Sequence, residues 1–202
     1  MATARSTGST PPHSGVRLGA TPRTAAQDRI LDAALTLIGD HGVGGTLLQM
    51  IADHIGVTKA AVYHKYRTKN EIVIALTERE LAMLEDALEA AEAEVDGSRA
   101  RQLLVTRLID LAVGRRRWIT TLQNDPVIVR LLGEHEPFQK FVSRMYGVLL
   151  DERDDTEARV AAAVMTAAIA GSVVNPLVTD LDDDTLRATL LLLVKRVLNL
   201  PD

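Results

Sequence analysis

Three capping boxes fall within residues 24–71 and fix where helices begin. "TAAQ" (Thr24–Gln27), "TLLQ" (Thr46–Gln49) and "TKNE" (Thr68–Glu71) each place a threonine three residues before a Gln or Glu. At that spacing the hydroxyl accepts from the N3 amide and the N3 side chain reaches back to the N-cap amide. Behind the first box, Ile30, Ala33, Ala34, Leu37 and Ile38 recur at the spacing of an amphipathic helix. "GVGG" (Gly42–Gly45) ends that helix near His41 with residues suited to a left-handed turn. Behind the second box, Met50, Ile51, Ala52 and Ile55 face inward until Gly56 permits a sharp turn. Val57 packs, and Thr58 caps a short helix running to about Lys65. The third box opens a long helix through Ile72, Leu76, Leu81, Leu84 and Leu88 toward Val95. Helix, glycine turn and short helix in close succession form a helix-turn-helix pattern.

The short helix buries Val62 and leaves Lys59, Ala60, Ala61, Tyr63 and His64 outward. A surface of small, cationic and aromatic side chains suits the major groove. Alanine methyls meet thymine methyls without steric block, while Lys, Tyr and His donate to phosphates or base edges. Charge agrees with an anionic partner at one end only. Residues 1–69 hold eight basic and four acidic side chains; residues 70–202 hold fifteen and twenty-three.

The stretch "ILDAALTLIGDHGVGGTLLQMIADHIGVTKAAVYHKYRTKNEI" resembles the DNA-binding domain of the TetR/AcrR family of bacterial regulators, over residues 24 to 72. Its most specific part is "IADHIGVTKAAVYHKYRTK". Ala60 stands where the family commonly has glycine, Ile55 where it has alanine and Tyr66 where it has phenylalanine. The resemblance implies that Tyr63, His64, Lys69 and Thr46 contact phosphates, with Lys59, Ala60 and Ala61 near bases. Gln49 and Thr58, in the capping positions of the two helices, complete the expected DNA-binding set. It also implies a transcriptional regulator, usually a repressor, that acts on a double-stranded operator as a homodimer and is not an enzyme.

Residues 98–202 match no motif, and none of the chain alternates convincingly like a strand. Helices are expected from Ser98 to Arg116, Trp118 to Gln123, Asp125 to Leu132, Glu136 to Leu150, Glu157 to Val174 and Thr185 to Leu198. The fold read is all-α, with an N-terminal three-helix helix-turn-helix DNA-binding domain followed by a helical ligand-binding and dimerisation domain. Its divisions are a disordered tail over residues 1–22, the DNA-binding domain over 23–69 and the second domain over 70–202. Two-fold association is expected through the alanine-rich helix around Ala161–Gly171 and a last helix with Leu186, Leu190, Leu193, Val194 and Val197.

The only tryptophan and both phenylalanines fall in the second domain. An apolar pocket for a small hydrophobic ligand is expected around Trp118, Leu122, Phe138, Phe141, Met145, Tyr146, Met165 and Ile169. Ordinary core packing is the competing reading of the same residues.

The absence of cysteine excludes disulfides, thiolate metal sites and a Cys nucleophile, and suits a reducing cytoplasm. The N-terminus has no apolar signal-peptide core. The uncharged run Val160–Thr179 reads as a close-packed helix rather than a membrane span. His13, His41, His54, His64 and His135 show no i+3 or i+4 pairing, so neither metal nor cofactor is expected. "RRR" (Arg115–Arg117) reads as the cationic C-terminus of a helix. Two further readings remain open: an architectural DNA-binding protein without ligand, and a small-molecule-binding helical domain with a vestigial DNA module.

Overall fold

The computed structural model describes residues 17–19, 22–150, 155–198 and 200. Among them are ten α-helices and no strand. Most of the predicted tail, Arg5 included, lies outside the described residues.

The first helix, α1 (Ala25–Gly45), starts at the Thr24–Gln27 capping box, with both reciprocal bonds made. It breaks at Gly42, whose φ of 68° and ψ of 172° interrupt the spiral before one last turn. Helix α2 (Leu48–Ile55) ends at Gly56, whose φ of 70° is the left-handed conformation that a Cβ disfavours. Thr58 then caps α3 (Lys59–Lys65), accepting from the Ala61 amide. At α4 (Lys69–Glu92) the Thr68 hydroxyl accepts from Glu71 N, and Glu71 returns a bond to Arg67 N. The middle box differs from expectation. Leu47, not Thr46, is the N-cap residue of α2 and offers no side-chain cap.

Then come α5 (Gly97–Gly114), α6 (Arg116–Asn124), α7 (Pro126–Glu134), α8 (Glu136–Leu150), α9 (Thr156–Ser172), a 3-10 turn (Pro176–Val178) and α10 (Asp183–Val197). Asp96, Asp125, Asp155 and Asp182 cap α5, α7, α9 and α10. Carboxylates at these N-termini meet both the free amides and the favourable end of the helix dipole.

Two apolar clusters hold the chain together. The N-terminal one gathers Ile30, Leu31, Ile38, Ile51, Val62 and Tyr66 around the first turns of α4 (Ile72, Val73, Leu76). The second surrounds the rest of α4 (Leu81, Leu84, Leu88) with α5, α8, α9 and α10. Helix α4 therefore runs through both. Ile128 and Leu132 of α7 belong to the N-terminal cluster, and Leu122 and Phe138 touch both.

Leu18 departs from the expected tail. It is 2% exposed and packs in the second cluster, with its amide toward Glu85 Oε2 at 3.4 Å. Arg17 beside it pairs with Asp86 and Glu89. No helix of the described residues is long and apolar enough to cross a membrane.

Candidate nucleic-acid interface

Helix α3 is anchored by one residue. Val62 is fully buried in the cluster shared with α1, α2 and α4, and Tyr66 follows it inward. At about 100° per residue, the remaining side chains sweep the opposite arc in the order Lys59, Tyr63, Ala60, His64, Ala61, Lys65. All six are exposed, and Tyr63 shows 52% of its surface. Lys59, Ala60, Tyr63 and His64 border a shallow depression of about 520 Å³. The sequence-predicted reading face is thus assembled as a single surface. Lys65 was not in the predicted set, yet lies beside Ala61 on the same arc. Helical phase alone could have found it.

The flanking residues are placed unevenly. Gln49 is exposed on α2 and donates to Asp53 Oδ1 at 2.7 Å. Thr58 is exposed, with its hydroxyl committed to the Ala61 amide. Thr46 is not available to a phosphate. It is 0% exposed, and its hydroxyl donates to Gly42 O at 2.8 Å. The break at Gly42 supplies that carbonyl and draws Thr46 inward.

Lys69 is also occupied. Its ammonium donates to Val43 O, to Thr46 O at 3.0 Å and to Gly44 O at 3.4 Å. These are end-of-helix carbonyls of α1, where a cation suits the dipole. Lys69 therefore ties the end of α1 to the start of α4, a positioning role that the sequence reading did not assign. Arg29 makes a parallel tie, donating to Ile55 O at the end of α2.

The expected ligand residues do not form one set. Trp118 is 2% exposed and packs in the N-terminal cluster, which of the other expected residues only Leu122 and Phe138 also touch. It occupies the first turn of α6, which packs against α1 and α7. Phe141, Met145, Met165 and Ile169 are buried in the second cluster, with Phe138, Leu122 and Tyr146 at its margin. Phe138 and Phe141 stack with centroids 6.4 Å apart, and Tyr146 Oη lies 3.2 Å from Thr166 Oγ1. A groove of about 590 Å³ beside them is lined by Tyr146, Leu150, Thr156, Arg159, Val160 and Ala163. Of the predicted residues, Tyr146 alone lines that groove.

Only Arg115 of the arginine run stands at a helix C-terminus. Arg115 ends α5 but is also the N-cap of α6, and Arg116 and Arg117 form the first turn of α6. Among the described residues no group of three or more His, Asp or Glu side chains could hold a metal.

Residues 30–76 match the family model described as "Bacterial regulatory proteins, tetR family". No curated protein matches the chain. Solved structures match nearly its whole length. The transcriptional regulator FadR from Bacillus subtilis, in complex with stearoyl-CoA, is 18% identical with a TM-score of 0.65, over 83% of this chain and 96% of that one. A TetR-like transcriptional regulator from Rhodococcus sp. RHA1 is 17% identical with a TM-score of 0.65, over 89% and 98%. SmeT in its triclosan complex is 24% identical with a TM-score of 0.60, over 84% and 91%.

Proposed function

Because the chain belongs to the TetR family of bacterial regulatory proteins, we propose that it is a repressor which binds a palindromic operator as a homodimer and is released by a small hydrophobic ligand. The outward face of α3 carries this reading. Lys59, Tyr63, His64 and Lys65 surround two alanines on a helix held by Val62, so cations and a small-residue contact surface project together. Residues 23–69 would supply the DNA contacts. Residues 70–202 would supply association and ligand binding.

The ligand half of the reading rests on two supports. Similar proteins have been solved with stearoyl-CoA, an anionic coenzyme carrying a long apolar acyl chain, and with triclosan. Here Phe138, Phe141, Met145, Tyr146, Met165, Ile169 and Leu122 group around α8 and α9, next to α4. Trp118 leaves that set. Since α4 runs through both apolar clusters, a ligand that shifts α8 against α4 would also shift α1–α3. A 100-fold preference for one arrangement corresponds to about 3 kcal/mol of coupling.

A gel-shift titration on the DNA flanking its own gene tests the reading. Sequence-preferring binding is expected, with Tyr63→Phe weakening it by about 1 kcal/mol, the worth of one hydrogen bond. Equal affinity for all duplexes, in wild type and variant alike, would remove it.

A further inference from the structure

Helix α3 sets out its exposed side chains around the buried Val62 in an order that separates two kinds of chemistry. At about 100° per residue, the direction opposite Val62 falls midway between Ala60 and His64, each about 20° from it. Tyr63 and Ala61 lie about 80° to either side. Lys59 and Lys65 lie about 120° to either side, at the two edges of the arc. The centre of the face therefore holds a methyl group and an imidazole, and each edge holds one cation.

The relief of the surface agrees with this order. Ala60 is the smallest of the four residues bordering the depression of about 520 Å³, and Lys59, Tyr63 and His64 stand around it. Val62 is fully buried and the Thr58 hydroxyl accepts from the Ala61 amide, so the helix is held in this phase. The outward side chains are uncommitted. No hydrogen bond or ion pair within the described residues engages Lys59, Tyr63, His64 or Lys65. Thr46 and Lys69, by contrast, already bind carbonyls at the end of α1.

A helix about 10–12 Å across, in a major groove about 12 Å wide, has little freedom to roll. Side chains pointing away from its anchor meet base edges, and those pointing sideways meet the two phosphate walls. The family resemblance implies the reverse for two residues, with His64 on phosphate and Lys59 near bases.

We propose that Ala60 and His64 are the base-reading residues of α3, and that Lys59 and Lys65 hold phosphates on the two walls of the groove. This assignment deepens the DNA-binding reading under "Proposed function" and rests on it. The Ala60 methyl takes the C5 methyl of thymine, the one methyl that the base edges present in the major groove. His64 has an N–H to donate in either protonation state, and purine N7 accepts in adenine and guanine alike. Ala60 and His64 stand one helical turn apart, about 5.4 Å, or one to two base steps of about 3.4 Å. Each half-site is then expected to carry a thymine and a purine within two base pairs of one another.

In the test, full-length protein selects from a pool of duplexes with a randomised centre, and the preferred sequence is titrated at several salt concentrations. His64→Ala should erase a purine preference of about fivefold at one position per half-site, the scale of one hydrogen bond, and keep the salt slope. Uracil in place of thymine removes only the methyl. It should weaken wild type about fourfold, the worth of one buried methyl, and leave Ala60→Gly unaffected. Lys59→Ala and Lys65→Ala should each weaken all duplexes alike and lower the salt slope by about one. All four side chains are exposed, so the variants keep the fold, which far-UV dichroism checks. His64→Ala with its purine preference intact and its salt slope lowered would overturn the proposal. So would a wild type blind to uracil, a uracil effect that Ala60→Gly retains, or an altered base preference in Lys59→Ala. A wild-type chain that prefers no duplex over another removes the DNA-binding reading itself, and this assignment with it.

Discussion

Thr46 and Lys69 show how one backbone break redirects two side chains. Gly42 interrupts α1 and leaves its carbonyl to the Thr46 hydroxyl, while Val43, Gly44 and Thr46 offer their carbonyls to Lys69. The Thr46 hydroxyl closes the last turn of α1, and Lys69 ties that turn to the start of α4. Thr46→Val keeps the shape and removes the hydroxyl, so it should cost about 1 kcal/mol in urea denaturation. It should leave the salt dependence of DNA binding unchanged, because no phosphate contact is lost. Lys59→Ala should do the reverse, leaving stability alone and lowering the salt slope by about one. A Thr46→Val variant with a lowered slope and unchanged stability would restore the phosphate contact that the family resemblance implies. The exposed face of α3 was legible because its phase depends only on the buried Val62 and the 3.6-residue repeat. Thr46 and Lys69 were not, because their partners are set by a kink and by the packing of α4 against the end of α1.

At the scale of elements, α4 joins the two apolar clusters, and residues 17–19 lie along it. Leu18 inserts into the second cluster, and its amide points to the nearly buried Glu85, which Arg144 of α8 also binds. The hydrogen bonds that Arg144 donates to the Glu92 and Glu85 carboxylates hold its guanidinium firmly in its charged form, raising its pKa. Gly19 follows with φ of 68°, and a Cβ there would lie 3.2 Å from Glu78 O. The segment can pass over α4 only without a side chain at that point. Leu18→Ala should therefore cost about 2–3 kcal/mol in urea denaturation, as for other buried leucines. An unchanged midpoint would show that this strap contributes nothing to holding α4. Composition made residues 1–22 look featureless, since a single leucine among Ser, Thr, Gly and Pro carries no periodicity. The helices themselves were legible for the opposite reason: repeated apolar spacing marks them, and a capping side chain marks most of their starts. Trp118 was misplaced because α6 meets α1 some eighty positions earlier in the chain, a pairing that no local pattern encodes.

For the whole molecule, the proposed operator reading requires two copies of the seven-residue α3 about one DNA turn, ~34 Å, apart, since one alone would read too few base pairs for selectivity. Helices α9 and α10 offer the surface to do so. On α9, Val160 and Val164 are 55% and 57% exposed, with Ala163, Ala167, Ala168 and Gly171 open beside them. On α10, Leu192, Leu193 and Val197 face outward. The predicted leucine stripe divides here. Leu186, Leu190 and Val194 pack into the chain's own core against α5, because every third or fourth position must face inward on a helix docked on one side. What remains outside on the two helices are small and branched apolar side chains, the kind that let two helix pairs approach closely into a four-helix bundle. Val164→Glu combined with Leu193→Arg alters only exposed side chains, so helicity and melting temperature should stay within the small range of surface substitutions, about 0.5 kcal/mol. In light scattering the wild-type chain should appear at twice its 21.9 kDa mass and the double variant at that mass itself. Operator affinity should fall with it, since each half-site would then be bound alone. A wild-type monomer at micromolar concentration, or a double variant that remains a dimer, would move the association surface off α9 and α10.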